Sequence, residues 1–153
     1  MPDINYVNVI IRFAHILAAV MAVGGTIFAA FVVLPATETI PDASRPHFHE
    51  GVRRRASKLV MISITFLLLS GFYNYIVNEI PAHKGQGAYH GLMGAKILLA
   101  FVVFFLASAL TGKSVAFAKM REKRRRWMRY QIFASLGVIA LGALLGKFPD
   151  VMP

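Results

Sequence analysis

Four long apolar blocks, separated by charged and Pro/Gly-rich connections, leave this 153-residue chain few ways to fold. They run from about 9 to 34, 59 to 78, 92 to 112 and 130 to 146, and the first carries no formal charge between Arg12 and Glu38. An α-helix rises about 1.5 Å per residue, so about 20 residues cross a hydrocarbon core of roughly 30 Å. The last block, at roughly 25 Å, needs little tilt or some flanking extension. With 57% hydrophobic residues, a soluble domain of this size could not enclose so much apolar surface. Strict alternation is absent and the blocks far exceed a membrane strand, which disfavours a barrel. The expectation is an all-α, polytopic bundle of four transmembrane helices forming one domain over 1–153.

The first block lacks a basic head and exceeds the h-region of a signal peptide, so it is expected to remain in the mature chain. Cysteine is absent, which excludes disulfides and thiolate metal sites.

A net charge of +10 in a soluble protein would point to nucleic acid, but its placement argues otherwise. Arg45, Arg53, Arg54, Arg55 and Lys58 lie between blocks one and two. Lys113, Lys119, Arg121, Lys123, Arg124, Arg125, Arg126 and Arg129 lie between blocks three and four. Together they are 13 of the 17 basic residues, on segments that share one side of a four-helix protein. The positive-inside rule assigns that side to the cytoplasm and puts both termini and the 79–91 connection outside. The expected partner is the bilayer, with anionic headgroups at the cytoplasmic face, Trp127 and Tyr130 near the interface, and no nucleic acid. The expected location is a bacterial inner membrane, and homo-oligomerisation stays open.

Within the blocks, Ala18, Ala22, Gly25 and Ala29 recur at helical spacing, as a face for close helix approach. Pro35 is expected to end the first span. Gly142 and Gly146 form a small-xxx-small pair in the fourth helix, one heptad after Ser135. Ser63, Ser70, Asn74 and Asn78 share one face of the second, which should turn into the bundle. His47, His49 and Glu50 read as ordinary loop residues, with weak metal binding as the alternative.

The residues with chemistry gather near the external side. His15 lies one or two turns below the outer boundary of helix one, three residues beyond Arg12. An imidazole in lipid without a hydrogen bond is costly, so His15 should point into the bundle. Topology brings Lys96 and His90 to similar depth, although Lys96 can also snorkel to the headgroups. A neutral imidazole can ligate haem iron or copper, while Arg12 or Lys96 balances a propionate. A soft copper site could add Met21 to His15 and His90. The competing readings are helix packing, with His15 bonded to Asn74, and passage of a small solute. No nucleophile or phosphate-loop motif is present.

The run His15-Ile16-Leu17-Ala18-Ala19, Gly24-Gly25, the Phe31 to Pro35 end of helix one, Arg53-Arg54-Arg55, Gly71 and Gly94-Ala95-Lys96 resembles a superfamily of small membrane proteins. It includes the membrane domain of copper-resistance D (CopD-like) proteins and the HemJ-type protoporphyrinogen oxidases. The resemblance covers most of the chain as a four-helix pattern. In the HemJ type it implies b-type haem and porphyrin oxidation with an acceptor such as quinone, with functional roles at His15 and Lys96. Val23-Gly24-Gly25 stands where that type has Trp-Phe-Ala-Gly. The CopD-like resemblance, closer around His15 and Gly24-Gly25, implies copper handling at the external side. The resulting expectation is a haem- or copper-handling protein with His15, Lys96, Arg12 and Asn74 as cofactor-binding candidates. The alternatives are a HemJ-like oxidase and a non-catalytic membrane scaffold.

Overall fold

The computed structural model describes residues 5–149. Four long helices account for the apolar blocks: α1 Tyr6–Phe28, α2 Arg45–Tyr73, α3 Gly87–Thr111 and α4 Arg124–Leu145. Each is long and apolar enough to cross a membrane. Asn5 caps α1, its side-chain oxygen accepting from the backbone N–H groups of Val7 and Asn8.

The helices extend beyond the apolar blocks where the flanking residues allow it. α2 starts at Arg45 rather than near 59, because Pro46 in the first turn lacks only an N–H that has no helical partner there. The Arg53 guanidinium bridges back to Glu50 at 2.8 and 2.5 Å, which supports that polar turn. His47 and His49 therefore sit on helix rather than loop. α3 starts at Gly87, after Gly85 turns the chain with a φ of 84° that favours glycine.

Pro35 does not end the first helix. The backbone widens into a π-helical stretch at Ala29–Val33 and continues through Leu34–Ala36 and a 3₁₀ turn at Thr37–Thr39. α2 repeats the device: a π-helical stretch at Asn74–Glu79 precedes Pro81 in Ile80–Ala82. A proline ring collides with the carbonyl four residues earlier, here Phe31 and Val77, and widening the turn around that carbonyl relieves the conflict. The second widened stretch carries Asn74, Tyr75, Asn78 and Glu79.

Side-chain bonds establish the antiparallel order. Asn8 near the start of α1 donates to Asn78 after α2 at 3.0 Å. Arg53 at the start of α2 donates to the Thr111 carbonyl ending α3 at 3.0 Å, and Gln131 early in α4 donates to Thr26 late in α1 at 2.9 Å. The most extensive packing is α3 on α4, then α1 on α2. Glycine sets the first of these: a Cβ on Gly137 would stand 2.8 Å from Leu99 Cδ2. The sequence reading had singled out Gly142 and Gly146 instead.

The two basic connections thus meet at one end of the bundle, where Arg125 also pairs with Glu38. Asn8, the 74–90 segment and the end of α4 form the other. Small and polar side chains occupy the interior, including Ala18, Ser63, Ser70, Gln131 and Ser135. Met93, Leu106, Leu110, Met128 and Leu145 are buried with them, but many other large apolar side chains point outward: Leu69 is 68% exposed, Leu98 70% and Phe133 71%. Water would oppose that distribution, and hydrocarbon would accept it.

Candidate functional site

α1 presents His15 to α2. His15 Nδ1 lies 2.8 Å from the Ser70 hydroxyl oxygen. Ser70 itself donates to the Phe66 carbonyl one turn earlier on α2. A serine hydroxyl has a single proton, and a carbonyl cannot supply one, so Ser70 accepts from His15 Nδ1–H. The neutral ring is then the Nδ1–H tautomer, with the lone pair on Nε2. Metal-ligating histidines are commonly held in this way, one nitrogen fixed by the protein so that the other can act. Gly71 leaves room for the ring, since a Cβ there would lie 3.3 Å from His15 Cε1.

Lys96 approaches from α3. Its ammonium crosses toward α4, where a Cβ on Gly142 would stand 3.6 Å from Nζ. Gly142 thus makes space for a charged side chain as well as a neighbouring helix. Lys96 acts electrostatically on His15, and Arg12 and Glu79 act on Lys96. Lys96 makes no ion pair with a carboxylate among the described residues. Glu79 is engaged elsewhere: its carboxylate accepts from the Tyr89 hydroxyl and lies 3.7 Å from His83 Nδ1. Arg12 is exposed on the same stretch of α1.

The other expected residues occupy different positions. Asn74 accepts from Asn78 at 3.3 Å, and Asn8 accepts from Tyr73 at 3.1 Å. These bonds tie α1 to the end of α2 as an amide network. The expected bond from His15 to Asn74 is replaced by the one to Ser70, on the same polar face of α2 but one turn deeper. His90 is held within its own connection. Its Nε2 donates to the His83 carbonyl at 3.1 Å, leaving Nδ1 to accept from Tyr75 at 3.5 Å. Beside it, His83 stacks on Tyr89 with ring centroids 3.6 Å apart. Met21, six residues beyond His15 and thus about 9 Å along the helix, lines a separate cleft nearer the basic end. Among the described residues, no three His, Asp or Glu side chains come together as a metal shell.

Sequence reading placed Ser70 on an inward face but missed its role. The four-residue interval to Phe66 was visible; the direction of the proton was not, because it depends on His15 arriving from another helix. Glu79 was missed as well, since its link to Tyr89 spans the turn between helices.

The chain is similar to an uncharacterized protein of Aquifex aeolicus (strain VF5), 26% identical over 138 residues, which span 85% of this chain and 89% of that protein. No family model matches the chain, and no solved structure does.

Proposed function

We propose that this protein is an integral membrane haem-binding protein, in which His15 would ligate the iron and Lys96 and Arg12 would pair with the propionates. The carrying observation is the pairing of a histidine whose Nδ1–H is fixed by Ser70 with an ammonium that lacks an ion-pair partner among the described residues. One imidazole nitrogen would suffice to ligate haem iron, and a propionate would suit an ammonium. The donor set fits haem better than copper, because Met21 belongs to another cleft and both His90 nitrogens are engaged.

The same reading puts the basic end in the cytoplasm, both termini outside and the His15 site near the external face of a bacterial inner membrane. The protein's own contribution is positional. Ser70 holds the His15 tautomer, Gly71 admits the ring, and Lys96 and Arg12 supply positive charge beside it. Bound b-type haem supplies reversible one-electron transfer. HemJ-like oxidation of a porphyrinogen, with a quinone as acceptor, would use the same cationic residues to hold substrate carboxylates.

The test is purification in mild detergent, reconstitution with haemin, an absorption spectrum and elemental analysis. A stoichiometric Soret band is expected, lost in His15→Ala with the helical circular dichroism intact. Stoichiometric copper without that band, or a band unchanged in His15→Ala, would overturn the assignment.

A further inference from the structure

A second polar group lies in the opposite half of the bundle, outside the His15 site. A cleft of about 80 Å³ runs among the four helices, with Met21, Val60, Ala107 and Met128 in its apolar lining. Ser63 also lines it; this residue is 1% exposed, and its hydroxyl meets no partner among the described residues. Toward the basic end stands Arg124, whose Nε is enclosed and without an acceptor, and whose Nη2 reaches only the Leu110 carbonyl at 3.4 Å. Nη1 of neighbouring Arg121 is likewise enclosed and without an acceptor.

The charges here are one-sided. Arg53 and Arg121 both act on Arg124, and Arg53 is the one paired with a carboxylate, Glu50. The first turn of α4 contains no acidic residue and opens with Arg124, Arg125 and Arg126, and the N-terminal end of a helix already favours negative charge. Enclosing a guanidinium beside two others is unfavourable unless an anion joins them. Apolar walls leading away from such a centre suit an acyl chain better than a hydrated ion.

We infer that this cleft binds one anionic phospholipid, its phosphate on Arg121 and Arg124 and an acyl chain along the wall past Val60 and Ala107. A diffuse attraction between basic loops and headgroups would use the exposed arginines equally. Here Arg124 lines the cleft itself and Arg121 acts on it from beside, and each has a guanidinium nitrogen enclosed without an acceptor among the described residues.

The inference rests on the bilayer reading above, so the first measurement is whether the full chain fractionates with membranes and reconstitutes in vesicles. Failure there refutes the bilayer reading itself. The purified protein is then equilibrated with equimolar dioleoylphosphatidylglycerol and dioleoylphosphatidylcholine, and retained lipid is counted by native mass spectrometry. One phosphatidylglycerol should be retained in preference to phosphatidylcholine by about tenfold. Arg124→Gln and Arg121→Gln should each abolish most of that preference, and Arg129→Gln, an exposed control on α4, should leave it intact. Ala107→Phe, which fills the wall without altering charge, should also reduce it. Equal retention of the two lipids overturns the inference, as does an Arg129→Gln effect as large as that of Arg124→Gln. Displacement of the lipid by millimolar inorganic phosphate, with no effect of Ala107→Phe, would identify a free-anion site and also overturn it.

Discussion

Ser70→Ala tests the logic of the His15 site without touching the ligand. In the native bundle, Ser70 accepts from His15 Nδ1–H and donates its own hydroxyl hydrogen bond to the Phe66 carbonyl. Alanine removes the acceptor and leaves a half-buried ring N–H between two helices. An ordinary hydrogen bond contributes about 0.5–1.5 kcal/mol net, and the orphaned donor adds a desolvation cost of similar size. The ring is only partly enclosed, so a total loss of about 1–2 kcal/mol in bundle stability is expected. The effect on ligand binding should be larger in proportion. Without Ser70, the Nε2–H tautomer competes and the ring is free to rotate, and removing such a supporting partner typically weakens binding about 10- to 100-fold. Ser70→Thr keeps a hydroxyl that can bond to the carbonyl one turn back, and should retain most of the affinity. The assay is haemin titration followed at the Soret band, with thermal unfolding in the same detergent. If Ser70→Ala binds haemin as tightly as the native protein while Ser70→Thr behaves identically, Ser70 does not select the His15 tautomer.

Four further outcomes follow from the packing. Gly71→Ala places a Cβ 3.3 Å from His15 Cε1, so haemin affinity should fall while helical content persists; unchanged affinity in the titration would remove Gly71 from the site. Lys96→Met keeps a long side chain and deletes the charge. It should weaken haemin binding about tenfold with little loss of thermal stability, whereas an equal loss in both measurements would make Lys96 a packing residue. Gly137→Ala forces a Cβ to within 2.8 Å of Leu99 Cδ2 and should cost about 1–3 kcal/mol, relieved by Leu99→Ala in a double-mutant cycle of unfolding free energies. Glu38→Gln breaks an exposed pair with Arg125 and should change unfolding stability by less than about 0.5 kcal/mol.

The four helices and the segregation of charge were legible in the chain because both are local properties. A block of about 20 apolar residues answers to the solvent around it, and a basic connection answers to the two blocks it joins. Helix ends were less legible. Pro35 read as a stop, yet it lies beyond a widened turn that lets the helix continue, as Pro81 does after α2, and whether a helix widens or breaks depends on what packs against it.

The candidate site divides along the same line. His15 and Lys96 stood out as polar groups in apolar surroundings, which is a cost any single sequence reveals. Ser70 as the partner of His15, Gly142 as the space beside Lys96, and Met21 in a separate cleft came only from the tertiary structure. Helical spacing relates residues on one helix but does not determine the rotation of one helix against another. That rotation decides which nitrogen of His15 is bonded and which keeps its lone pair.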